Sequence, residues 1–163
     1  MDDVWIERWC ADVRADIAVL VGTFESRFGF APGEHGVSGP ATADELAGLA
    51  AVPGVPGDLV SFHRVVGEVR LPDVNNGYWI HQPPLPGADP CLLSDGRAVV
   101  VFGSDGGGAM FALGGGSGMP VLRLAGGSLT GGVYDADCAT EIAADLWEFL
   151  ASVRREVAEF VAE

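Results

Sequence analysis

Ala98-Val99-Val100-Val101-Phe102-Gly103-Ser104-Asp105-Gly106-Gly107-Gly108-Ala109-Met110-Phe111-Ala112-Leu113 sets two apolar runs on either side of a short glycine turn. The first run is rich in β-branched and aromatic side chains, and the whole stretch reads as two strands joined by a tight turn. Downstream, a glycine cluster leads into Pro120-Val121-Leu122-Arg123-Leu124, and a short strand around Val133 and Tyr134 is expected to close the sheet. Upstream, Val69 and Leu71 alternate with charged neighbours, and Tyr78-Trp79-Ile80 follows the tight-turn pair Asn76-Gly77. Pro83, Pro84, Pro86 and Pro90 exclude a central strand and read as a linker. Consecutive strands joined by short glycine turns predict an antiparallel meander.

Helical periodicity frames this sheet. Trp5, Trp9, Val13, Ile17, Leu20, Val21, Phe24 and Phe28 recur at steps of three and four, which predicts one helix over 3–28, stopped by Gly29. Residues 30–41 lack a period and read as a loop. Thr42 and Glu45 match a capping box, so a short helix should run through Leu46 and Leu49 and end before Pro53. A further helix is expected from Asp58 to Val66, capped by Gly67. Ile142, Leu146, Phe149, Leu150, Val153, Val157, Phe160 and Val161 predict a last helix over 138–161, with Asp137 as its cap. The predicted fold class is therefore α+β: a single domain with a mainly antiparallel twisted sheet and helices packed on one face, bounded by long N- and C-terminal amphipathic helices.

Composition narrows the function. The chain has 163 residues, enough for one domain with a sizeable core. No apolar stretch approaches the roughly 20 residues of a membrane helix. Asp2 and Asp3 stand where an export signal would carry positive charge. Three widely spaced cysteines, Cys10, Cys91 and Cys138, suit a reducing compartment, so a cytoplasmic location is expected. There are 23 acidic residues against 9 basic ones, all arginine, giving a net charge of −14. Such a chain repels nucleic acid and anionic membranes and attracts basic proteins. The plain alternative is that the charge serves solubility alone.

Several of these segments together resemble the SUKH superfamily, which includes fungal cell-wall assembly regulators and many bacterial immunity proteins. Residues 45–66, with Val55-Pro56-Gly57-Asp58-Leu59 and Phe62, are similar to its helix pair. The hairpin from Val100 to Leu113 looks like its strand–DGGGD–strand signature, and Gly118-Met119-Pro120-Val121 and a final helix from near Ala139 complete the ordered set. The resemblance covers roughly 42–152 and divides the chain into an N-terminal helix and loop extension over 1–41 and a SUKH-like domain over 42–163. This chain departs from the pattern at Ala109, where an acid is usual, and at Val66-Gly67, where Asn-Gly is common. The N-terminal helix and a Pro-rich insert at 82–97 lie outside it. The resemblance implies a domain without catalysis, an antidote that binds a cognate protein toxin of nuclease or deaminase type; from the residues themselves no cofactor and no metal is expected. The alternative is a regulatory or scaffold protein-binding module, or a small-ligand sensor.

Candidate site residues follow from residue type. Tyr78 and Trp79, with Glu68, Asp73, Asp95 and Asp105, form the expected partner-binding set, because aromatic anchors ringed by carboxylates suit a basic groove. The plain alternative buries Trp79 in the core and leaves the acids solvated. Asp105 and its three glycines lead into a strand with no lysine nearby, so a hairpin is favoured over a phosphate loop. Asp73-Val74-Asn75-Asn76-Gly77 lacks the ligand set of a calcium loop and reads as a turn. His35, His63 and His81 have no metal-ligand spacing. Cys91 with His81 could pair as nucleophile and base, yet no third orienting group is identifiable, and a hydrolase built on Cys91 or His63 is the remaining rival.

Overall fold

The computed structural model of the chain describes residues 2–84, 91–114 and 118–163. Pro86 and Pro90 of the predicted linker, and 115–117 of the second glycine cluster, lie outside the described residues. In chain order the elements are α1 (Asp3–Phe28), β1 (Gly36–Val37), α2 (Ala43–Ala51), α3 (Gly57–His63), β2 (Val69–Leu71), β3 (Tyr78–Ile80) and β4 (Cys91–Leu93). The chain continues through β5 (Ala98–Ser104), β6 (Met110–Gly114), β7 (Val121–Leu124), β8 (Leu129–Thr130), β9 (Val133–Tyr134), β10 (Ala139–Ala143) and α4 (Leu146–Ala162). This is an α+β domain with one sheet and a long helix at each end.

Strand β5 is the spine. Along one edge it pairs antiparallel with β6, which pairs in turn with β7, and β7 with β10. On the other edge its first residues pair with β4 and its last with β3, which continues through β2 to β1. All these pairs are antiparallel; β4 and β9 run parallel. Val100 and Phe102 of β5, with Phe111 and Leu113 of β6, belong to the large core shared with α1, α3 and α4. Val99, Val101, Ala112, Leu122 and Leu124 point the other way, into a smaller cluster with Leu93 and Tyr134. The period of two thus serves two cores, one on each face of the sheet.

The register of β5 shifts against β6 between Val101 and Gly103, so Phe102 is the extra residue of a bulge. Gly103 follows because β3 passes there: a Cβ at this position would sit 2.4 Å from the Trp79 carbonyl oxygen. That neighbour is paired backbone and has little freedom to give. Gly103→Ala is expected to cost about 2 kcal/mol, read as a shift of the urea midpoint at unchanged slope. An unchanged midpoint would count against the close approach of β3.

Helix α1 begins at the N-cap Asp2, whose side chain accepts from the Val4 amide, and ends at Gly29 with φ +81°. Its buried face is Ile6, Trp9, Cys10, Val13, Leu20 and Phe24. Val21 and Phe28 of the predicted stripe are exposed instead. Trp9 donates to the Leu150 carbonyl over 2.7 Å, Trp5 stacks on Trp147, and Asp12 pairs with Arg154. These partners advance together, so α1 and α4 lie side by side in parallel. The predicted capping box is present at α2: Glu45 N–H donates to Thr42 Oγ1, and Thr42 N–H to Glu45 Oε2.

Five expectations need correction. The helix predicted over 138–161 is a strand, β10, followed by α4; its cap is Asp145, which accepts from the Glu148 amide, and Asp137 lies in a 3-10 turn. Thr140 and Ile142 fit a strand, and the open edge of β7 supplies backbone partners that a helix over 139–143 would leave unused. The predicted loop over 30–41 contains β1, held by two antiparallel pairs with β2. Gly67 does not cap α3, which ends at His63; its N–H donates to the Gly39 carbonyl. The Pro-rich 82–97 segment contributes β4, and β9 pairs with β4 and β8 and does not close the β7 edge.

Candidate functional site

Two turns meet at the end of the sheet. The β2–β3 turn carries Asn75 and Gly77 in left-handed backbone, and the β5–β6 turn carries Gly108 in the same region. Gly106 and Gly107 have a different role. A Cβ on Gly106 would lie 2.6 Å from the Asn76 carbonyl oxygen, and one on Gly107 would lie 2.9 Å from the Asn76 side-chain nitrogen. Both glycines let the Asn76 turn lie against the hairpin, where Gly106 N–H donates to that carbonyl over 2.6 Å.

Asp105 organises this junction. Its Oδ1 accepts from the amides of Gly107 and Ala109 at 2.9 and 2.8 Å. Its Oδ2 accepts from Arg123 Nε and Nη2 at 3.0 and 2.7 Å. The carboxylate side chain is 4% exposed, whereas Arg123 is 41% exposed. Burial would raise the acid's pKa, but the Arg123 hydrogen bonds, the Ala109 amide and the arginine charge outweigh it and hold the carboxyl below its ordinary value. Ala109, at the position where the resemblance leads one to expect an acid, is fully buried.

Beside this junction, between the sheet and α4, lies a cavity of about 340 Å³. Tyr78, Phe111 and Phe149 supply its aromatic lining. Tyr78 stacks on Phe111 at 5.9 Å, and Phe149 meets Phe111 at 5.1 Å. Asn76, Asp105, Arg123, Ser152 and Glu156 supply the polar lining. Glu156 Oε2 accepts from the Tyr78 hydroxyl at 2.5 Å and from Asn75 Nδ2 at 2.6 Å, which ties α4 to the β2–β3 turn. Burial first, then the hydrogen bond and charge of Glu156, push the Tyr78 hydroxyl well above its ordinary pKa, so it stays a neutral donor.

Of the six expected site residues, the structure brings only Tyr78 and Asp105 into this cavity. Trp79 is half-buried and on the opposite face of β3 from Tyr78, as successive strand residues must be; its ring lies where a Cβ on Gly77 would be, at 2.4 Å. Asp73 accepts from Gly33 N–H at 2.6 Å and pairs with His35 Nε2 at 2.9 Å. Glu68 and Arg70 pair at 3.5 Å beside the β1 edge. Asp95 pairs with Arg97 in the β4–β5 turn, at the other end of the seven-residue β5 from Asp105. Glu156, Arg123 and Ser152 were not singled out from the sequence. Arg123 carried a usable signal, since it sits on the helix-facing side of a strand between Leu122 and Leu124 and needs an internal partner there.

The nucleophile candidates have other surroundings. All three cysteines are free, and burial, the first cause in each case, raises their thiol pKa values, Cys10 to about 11. Among the described residues no hydrogen bond joins Cys91 to His81, whose amide donates to Phe102. His63 is 0% exposed, its Nδ1 faces the Val66 carbonyl at 3.0 Å, and its Nε2 has no partner among the described residues. Burial lowers its pKa to about 4, against the support of the Val66 carbonyl. The folded chain therefore binds this proton less readily than the unfolded chain, whose histidine titrates near 6.5. Stability from this group is complete above 6.5 and is lost as pH falls toward 4, by about 1.4 kcal/mol per pH unit. His63→Gln, which keeps a donor for Val66, is expected to flatten urea-midpoint profiles over that interval; an unchanged slope would reject the assignment. No group of His, Cys, Asp and Glu among the described residues is arranged to hold a metal ion, and no described helix is long and apolar enough to cross a membrane.

Compared with protein-family models, with curated proteins and with solved structures, the chain matches none.

Proposed function

We propose that this chain is a non-enzymatic binding protein that docks a basic protein partner through its acidic surface. The charge is the observation that carries this reading. The chain has net charge −14 and no lysine, and its arginines are largely engaged at home. Arg70, Arg97, Arg123 and Arg154 pair with carboxylates, and Arg14 and Arg27 donate to backbone carbonyls. A surface of this sign attracts a basic partner over a Debye length and raises its association rate. The resemblance to the SUKH superfamily supports the finer form of the proposal, a cytoplasmic immunity protein that occludes the active groove of a cognate nuclease or deaminase toxin. The cavity beside Tyr78 favours a second reading, a module that senses a small ligand.

The test is capture from native lysate on the immobilised chain at low salt, elution at high salt, identification of eluted proteins and co-expression of the leading candidate. A basic protein that elutes with salt, and whose toxicity to cells is relieved by the chain, supports the proposal. Recovery only of partners whose binding ignores salt would sink the electrostatic docking it rests on.

A further inference from the structure

Building on the docking role just proposed, we infer that the cavity between Tyr78 and α4 receives a guanidinium group, the side chain of an arginine on the partner's surface. Its charge balance asks for a cation. Asp105 and Glu156 line it with two carboxylates against the single guanidinium of Arg123. Arg123 is already committed to Asp105 through two hydrogen bonds, so it has little attraction left for an anion, which Glu156 would also repel.

The acceptors left over suit a group with more than one donor. Glu156 Oε2 is occupied by Tyr78 and Asn75, while its Oε1 accepts no hydrogen bond among the described residues. The Ser152 hydroxyl donates to the Phe149 carbonyl and keeps its lone pairs for a donor entering the cavity. The rings of Tyr78, Phe111 and Phe149 line the same cavity. A guanidinium is flat, weakly hydrated and carries five donors around its edge, so its faces suit aromatic walls and its rim suits the oxygens. A lysine ammonium is a hydrated point charge and would give up more water for fewer bonds. A purely apolar occupant would strip water from Glu156 and leave Oε1 without a partner.

The test is a proton–nitrogen NMR titration of the whole chain at low salt with ethylguanidinium, and with butylamine and propionate as comparators. Saturable shifts centred on Asn76, Tyr78, Ser152 and Glu156 are expected, with butylamine about fivefold weaker. Glu156→Gln retains an oxygen for the Tyr78 hydroxyl and removes the charge, and should weaken ethylguanidinium about tenfold. Ser152→Phe fills the cavity from α4 and should abolish binding, which keeps the test decisive if one variant folds poorly. Shifts scattered over the surface, a stronger response to propionate, or affinity unchanged in both variants would overturn the assignment. A salt-eluted partner that binds both variants as tightly as the parent chain would likewise overturn it, while leaving the acidic docking surface standing. Ethylguanidinium seated in the cavity of a chain that captures no basic protein would overturn the docking role instead.

Discussion

Phe149→Ala is expected to lower the free energy of unfolding by about 3–5 kcal/mol, the largest effect of any single truncation considered. Phe149 is 1% exposed and stands where α4 meets the sheet. Its ring contacts Phe102 edge-on at 5.5 Å, Phe111 at 5.1 Å and Tyr78 at 6.4 Å. Removing it empties the centre of that cluster, and the strands behind it are paired on both sides and cannot collapse into the space. A loss of this size is a large share of the roughly 5–15 kcal/mol of a typical domain. The measurement is equilibrium urea unfolding followed by far-ultraviolet circular dichroism. Trp147→Ala, two positions earlier on the same helix but 45% exposed and stacked on Trp5, should cost about 1 kcal/mol. Equal losses in the two variants would refute the packing described for α4.

Asp105→Ala should cost about 3 kcal/mol. The variant leaves the Gly107 and Ala109 amides without their acceptor and Arg123 without its counter-charge. Arg123 is half-exposed and can turn to water, which keeps the loss at the lower end for a buried ion pair. The pH dependence has a definite sign. The folded carboxyl titrates below its ordinary value, so its contribution is complete above about pH 4 and is lost as the pH falls through the depressed value. Asp105→Asn keeps the shape and the Oδ1 acceptor, and its deficit should be largest at neutral pH and shrink in acid, where it matches the parent chain more closely. An Asn variant whose deficit stays constant from neutral pH into acid would show that charge is not what Asp105 supplies.

Both residues illustrate how far local signals reach. The Asp105 hairpin was legible because its determinants are adjacent: apolar runs on each side, and a side chain that satisfies amides two and four residues on. The α2 capping box and the stop of α1 at Gly29 were legible for the same reason. Glycines in this turn serve both positive φ and close backbone packing: Gly108 takes the positive φ, and Gly106 and Gly107 give the close approach, needed because Asn76 arrives from a different hairpin. The C-terminal segment was misread because Ile142 continues the spacing of the α4 stripe by chance. Nothing local to 139–143 records that β7 has an unpaired edge.

The sequence by itself determined where most helices and strands begin, the α+β class and the sign of the surface. Periodicity, caps and ionisable groups act within a turn or two, or simply add up over the chain. Only the tertiary structure decided the cavity, since its central hydrogen bond joins Tyr78 and Glu156 across 78 positions. It also decided which surroundings the opposite faces of Tyr78 and Trp79 meet, and that Asp95 stands a strand's length from Asp105. These relations depend on which edges pair and in what register. Pairing is fixed by the joint burial of two apolar faces, to which residues from every part of the chain contribute.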